Sequence, residues 1–165
     1  MSGLIKPHGG KLRRLLASST ELQKLNEEVY DLPSVSLTPR QLCDLELLLN
    51  GAFSPLGGFM TRKEYVSVLD NVALPDDTVW PIPITLDVPA SVAQEVKEGD
   101  RLVLRDQEGF ALAVMTIEDK WEPDIKVEAR KIYQTDEPEH PGVSYLFENT
   151  NPVYLGGKVK GLSLP

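Results

Sequence analysis

The apolar positions of this chain change period part-way along it, from helical spacing in the first half to alternation and short runs in the second. After Thr38-Pro39-Arg40-Gln41, the leucines at 42, 45, 48 and 49 recur on one helical face, and Asn50-Gly51 is a natural stop. Threonine caps the helix, proline suits the first turn where no amide hydrogen is needed, and glutamine is spaced to close a capping box. Thr61-Arg62-Lys63-Glu64 repeats the device ahead of Tyr65, Val68 and Leu69, and Thr20-Glu21-Leu22-Gln23 repeats it ahead of Leu25 and Val29. A fourth helix is expected over residues 124–133.

Strand signals gather further on. Residues 101–105 and 110–118 flank Asp106-Gln107-Glu108-Gly109, which predicts a hairpin with a four-residue loop. Residues 80–88 are rich in β-formers, but Pro81 and Pro83 lack amide donors, so this stretch belongs at an edge or a bulge. Residues 34–37, 153–155 and 158–162 are further short extended segments. Short, mainly antiparallel strands with a few flanking helices define an α+β domain built round a small, partly closed barrel. No internal repeat or low-complexity linker divides residues 1–165, so a single domain is expected.

Composition narrows the classes. At 41% hydrophobic, the chain can bury a core. No apolar run approaches the roughly 20 residues of a bilayer span, so no membrane partner is expected. Leu4-Ile5 gives way at once to Lys6-Pro7-His8, which is no secretory leader. The single cysteine, Cys43, suits a reducing cytoplasm, and its leucine-rich surroundings predict a small buried apolar group. The net charge of −8 is uneven: residues 1–60 carry six basic and six acidic side chains, residues 61–165 eleven and nineteen. A nucleic acid would meet net repulsion from the second part, so none is expected as a partner.

Convergent chemistry is sparse. The two histidines, His8 and His140, lie far apart, and no Cys or His pair has metal-ligand spacing. His140, between Glu139 and Pro141-Gly142, reads as a turn residue bonded to backbone. Gly156-Gly157-Lys158-Val159 lacks the hydroxyl residue and upstream glycine of a phosphate loop and reads as a turn between strands. The acids Glu118, Asp119, Glu122 and Asp124 match no ion-binding loop and read as solvated surface. Residues 51–60, Gly-Ala-Phe-Ser-Pro-Leu-Gly-Gly-Phe-Met, read on their own as a structural loop whose Phe53, Leu56 and Phe59 can plug a core.

That run also resembles the signature segment of the N-terminal domain of the ATP sulfurylase (sulfate adenylyltransferase) family. Its neighbours agree in order: Pro7-His8-Gly9-Gly10, Pro83-Ile84-Thr85-Leu86, Glu98-Gly99-Asp100, His140-Pro141-Gly142-Val143 and Tyr154-Leu155-Gly156-Gly157. The resemblance implies a PUA-like pseudo-barrel within an enzyme that makes adenosine 5′-phosphosulfate and pyrophosphate from ATP and sulfate. The family's Gln-Thr-Arg-Asn-Pro, His-x-x-His and Gly-Arg-Asp-His segments have no counterpart here, so no catalytic, cofactor-binding or metal-binding residue carries over. ATP enters only as the parent enzyme's substrate. The resemblance implies that the main partner is the catalytic domain of the same polypeptide, with a homo-oligomer possible in the full-length enzyme. Two uses of the loop then compete. If Phe53, Leu56, Phe59 and Met60 form an inter-domain surface, at least one of them stands exposed; if the loop is a core element, all are buried. The rival from another class is a free-standing PUA-like module that binds RNA or protein, an argument from fold analogy alone.

Overall fold

The threonine-led signals at positions 38 and 61 each start a helix in the computed structural model, which describes residues 5–165. Thr38 caps α2 (Pro39–Asn50) and Thr61 caps α3 (Arg62–Asn71), each with a complete capping box closed by Gln41 or Glu64. The N-terminal helix α1 (Ser19–Glu28) starts two residues earlier than its threonine predicts: Ser18 is the cap and Glu21 closes the box. Two pairs at the same spacing compete here, and the one with a carboxylate in the first turn wins, as the helix dipole favours. The backbone amide of Ser18, with help from Lys160, holds the Glu21 carboxyl at a pKa of about 2.

Six strands form one mixed sheet. They are β1 (Ser34–Ser36), β2 (Gly58–Phe59), β3 (Leu86–Val88), β4 (Arg101–Arg105), β5 (Ala111–Trp121) and β6 (Val153–Gly161). The order is β1-β4-β5-β6-β2, with β3 also paired to β6; only β1 and β4 run parallel. The α+β domain expected from the sequence forms, its sheet not a closed barrel, with helices packed on both faces. The β4–β5 hairpin forms with the predicted four-residue loop plus Phe110. Of residues 80–88 only 86–88 enter the ladder, because the prolines before them cannot donate.

The expected break at Gly156-Gly157 is absent, and residues 153–161 make one continuous strand. Glycine serves close approach there. A Cβ on Gly156 would strike the backbone of Met60 and Thr61. The bulge in this register lies on β5, between Ile117 and Asp119.

Three further helices complete the fold: α4 (Ala90–Glu95), α5 (Ile125–Tyr133) and α6 (Pro141–Asn149). The helix expected over residues 124–133 forms as α5, with Asp124 as its cap. Helices α4 and α6 were not anticipated. His140, read as a turn residue, is the α6 cap: its Nδ1 accepts from the Gly142 amide at 3.2 Å, ahead of Pro141 in the first turn.

The main core lies between α2 and one sheet face, with Leu45, Leu48 and Leu49 against Leu86, Leu104, Met115 and Leu155. On the other face α1 sets Leu25 and Val29 over Val103 and Val114. Cys43 is exposed, contrary to expectation, because the buried stripe of α2 is Gln41, Leu45, Leu48 and Leu49. No helix among the described residues is long and apolar enough to cross a membrane.

Candidate functional site

The four residues expected at an inter-domain surface lie at two depths. Leu56, Phe59 and Met60 are buried in the main core, and Phe53 packs half-buried against Trp80 in an edge-to-face pair with ring centroids 5.8 Å apart. The loop turns its apolar side chains inward because β2 pairs antiparallel with β6 and carries Phe59 beneath the sheet. Three of the four side chains are buried in the core, while Phe53 keeps partial exposure.

Polar side chains instead converge where α2, β3, α5 and the start of β6 meet. Asp87, buried within β3, accepts four hydrogen bonds on its carboxylate. Arg40 and Gln41 Nε2 each reach Oδ1 at 2.8 Å, while the Asn151 amide and Nδ2 reach Oδ2 at 2.8 and 2.9 Å. Arg40 also bonds Asp44 at 2.7 Å, one helical turn on. Burial alone would lower the Arg40 pKa, but Asp44 and Asp87 outweigh it and raise it. Burial raises the Asp44 pKa, with Arg40 opposing. Asp87 thus has every acceptor direction used, and works as a clasp between three elements rather than as a base.

Beside it, Glu128 of α5 is only 6% exposed. Its Oε2 accepts from the hydroxyls of Tyr65 at 2.9 Å and Tyr154 at 3.0 Å. These tyrosines pack with Trp121, their ring centroids 5.6 and 5.7 Å from its own, and the buried Trp121 Nε1 has no acceptor among the described residues. Burial raises the Glu128 pKa, and the two phenols oppose it; burial likewise raises both tyrosine pKa values. A cavity of about 90 Å³ adjoins this cluster, lined by Arg40, Thr85, Glu128, Tyr133 and Tyr145 among others.

The raised Glu128 pKa has a sign that can be checked. The folded state holds this proton more tightly than the unfolded chain, so Glu128's stabilising contribution is complete at low pH and is lost as pH rises through its folded pKa. Glu128→Gln should therefore gain stability relative to the parent chain as pH is raised from about 3 to 8. Urea midpoints of the two proteins across that range read the difference; a constant gap would refute it.

The outer sheet face carries a second feature. Arg101, Thr116 and Lys158 lie in register across β4, β5 and β6, with Lys160 next along and Arg13 beside Gly57. The strand cations are already paired: Arg101 with Glu28, Lys160 with Glu21 at 3.0 Å, and Lys158 with Glu118 at 2.9 Å. Glu21 and Glu28 lie on α1, so two of these pairs fasten that helix to the sheet. Of the acids read as solvated surface, Glu118, Glu122 and Asp124 are exposed, while Asp119 accepts from the Arg62 amide at the start of α3 and Asp124 also caps α5. Among the described residues no group of three or more His, Cys, Asp or Glu side chains is placed to hold a metal ion.

These clusters were legible only in hints. Asp87 is a lone charge in an apolar run, Leu86-Asp87-Val88, which marks a buried polar group needing partners. Glu128 gives no such signal, because a glutamate in a helix usually faces water.

This fold, a six-stranded mixed sheet with helices on both faces, goes with a match to the PUA-like domain family. That family matches residues 5–164, and the chain belongs to it. Curated relatives narrow the likeness. The chain is 46% identical over 162 residues to the sulfate adenylyltransferase of Kluyveromyces lactis, covering 96% of this chain and 32% of that protein. It is 45% identical over 161 residues to that of Aspergillus fumigatus, covering 95% and 28%. Among solved structures, a hexameric APS kinase from Thiobacillus denitrificans superposes with a TM-score of 0.75 at 35% identity, over 98% of this chain and 27% of that one. The chain spans about a third of the length of the curated relatives it matches.

Proposed function

We propose that this chain is the non-catalytic N-terminal, PUA-like domain of a sulfate adenylyltransferase of sulfur metabolism, acting in the cytoplasm. The observation that carries the reading is a match of 46% over nearly the whole chain to a third of an enzyme of that name. The parent reaction joins ATP and sulfate to give adenosine 5′-phosphosulfate and pyrophosphate. Such a transfer needs cations converging on phosphate oxygens. Here Arg40 is committed to Asp44 and Asp87, and the strand cations are committed to glutamates. The same pairings weigh against the RNA-binding module, since a polyanion would meet cations already neutralised.

The partner in this reading is the catalytic remainder of the same polypeptide. The hexamer named for the Thiobacillus structure supports an oligomeric whole. The test is turnover by the 165-residue chain alone, in a coupled assay that forms ATP from adenosine 5′-phosphosulfate and pyrophosphate. No turnover above buffer is expected. Activity that persists through repurification would overturn the reading.

A further inference from the structure

Two aromatic side chains that stay in water share one end of the sheet. Tyr30, just after α1, is 85% exposed, and Phe110, at the end of the β4–β5 loop, is 69% exposed. One guanidinium joins the two elements. Arg105 donates through one arm to the Val29 carbonyl at 3.2 Å and through the other to the Gly109 carbonyl at 2.9 Å. The residues preceding Tyr30 and Phe110 are therefore held on a single side chain. Asp106 fixes the loop further, its carboxylate accepting from the Phe110 amide at 2.7 Å and its own amide donating to the Phe110 carbonyl at 3.0 Å. Aromatic and arginine side chains on a fixed frame are the composition of an interface centre.

The register of β6 adds the place where the chain leaves the fold. After Gly161, the Leu162 and Ser163 amides both donate to the Leu112 carbonyl, at 2.7 and 3.2 Å, two residues from Phe110. Leu164, next along, is 47% exposed. Leu32, Ala111 and Leu162, neighbours in sequence of the patch residues, pack partly buried against the outer-face cluster of Leu25, Val29, Val103 and Val114.

We infer that Tyr30, Phe110 and Leu164, on the frame held by Arg105, are the surface on which the polypeptide following residue 165 docks in the longer protein. The inference rests on reading this chain as the N-terminal third of a sulfate adenylyltransferase. In that reading most of the protein follows residue 165, and its first residues emerge beside the patch. A short tether gives a high effective concentration, so a small aromatic patch suffices to hold the next domain. The facing surface is apolar, with a carboxylate opposite Arg105, whose charge has only carbonyl partners among the described residues.

Hydroxyl-radical footprinting of the 165-residue chain and of the polypeptide extended through its remaining length tests this. Oxidation of Tyr30 and Phe110 should fall about five- to tenfold in the longer protein, as exposed side chains become buried, while exposed Val79 and Tyr145 keep their rates. Unchanged rates at both aromatics would overturn the inference. So would protection that appears in the 165-residue chain as its concentration rises, which would assign the patch to a second copy. Adenylyltransferase activity of the extended protein is read separately. Activity without protection removes the docking surface only, and protection without activity removes the functional reading only.

Discussion

Alanine in place of Asp87 is expected to cost about 3–5 kcal/mol of folding stability, the range for breaking a buried charge pair by deleting one partner. The loss is large because four donors converge on this carboxylate, and one of them carries a full charge. Without Asp87, Arg40 keeps Asp44 and the Thr85 carbonyl but loses its charged partner on β3, while Gln41 Nε2 keeps only the residue-87 carbonyl. Asn151 loses its acceptor at the entry to β6. The urea midpoint should drop by about 2 M for a domain of this size. Asp87→Asn should fall between the two, since it preserves one acceptor and turns a donor toward Asn151. A loss below about 1 kcal/mol for the alanine variant would mean that water replaces the carboxylate readily, and the clasp would be an accident of packing.

Gly58 and Gly57 should behave in opposite ways, though they are neighbours of the same kind. A Cβ on Gly58 would overlap the Gly157 carbonyl and stand 2.8 Å from the Val159 amide, both backbone atoms of β6. Nothing there can swing aside, so Gly58→Ala must spread β2 from β6 or fail to fold; a loss of about 3 kcal/mol or more is expected. At Gly57 the nearest neighbour of a Cβ is the tip of Arg13 at 3.7 Å, an ordinary contact with a flexible side chain. Gly57→Ala should stay within about 0.5 kcal/mol of the parent. Thermal unfolding of the pair reads this as a gap of about 10 °C. Equal melting temperatures would show that β2 is not pinned to β6.

What the chain disclosed in advance follows from the range over which each feature is decided. The caps at Thr38 and Thr61 are settled within four residues, so they could be read directly. At the first helix two such signals overlapped, and the start was misplaced by two residues. Cys43 was judged by its leucine-rich neighbourhood, when its phase on α2 decided its exposure. The glycines at 156 and 157 carry the letters of a turn, and only the nearness of distant backbone, Met60 and Thr61 at the first and Thr116 and Glu118 at the second, makes them strand residues. In residues 51–60 the apolar mass was evident but its direction was not, because inward or outward is fixed by the pairing of β2 with β6. The Asp87 and Glu128 clusters join positions 26 to 64 residues apart, beyond any local pattern.

The place of β6 governs how this domain can be made. It is the final strand among the described residues, and it is the ladder partner of β5 on one side and of both β2 and β3 on the other. Before residue 153 is synthesised, β2 and β3 have no strand to bond, and the long edge of β5 lies bare. Closing the sheet means bringing together segments about a hundred residues apart, a slow step for any chain. On the ribosome the sheet therefore stays unfinished until residues 153–161 clear the exit tunnel. In that interval an open β5 edge is exposed to pairing with a neighbouring nascent chain.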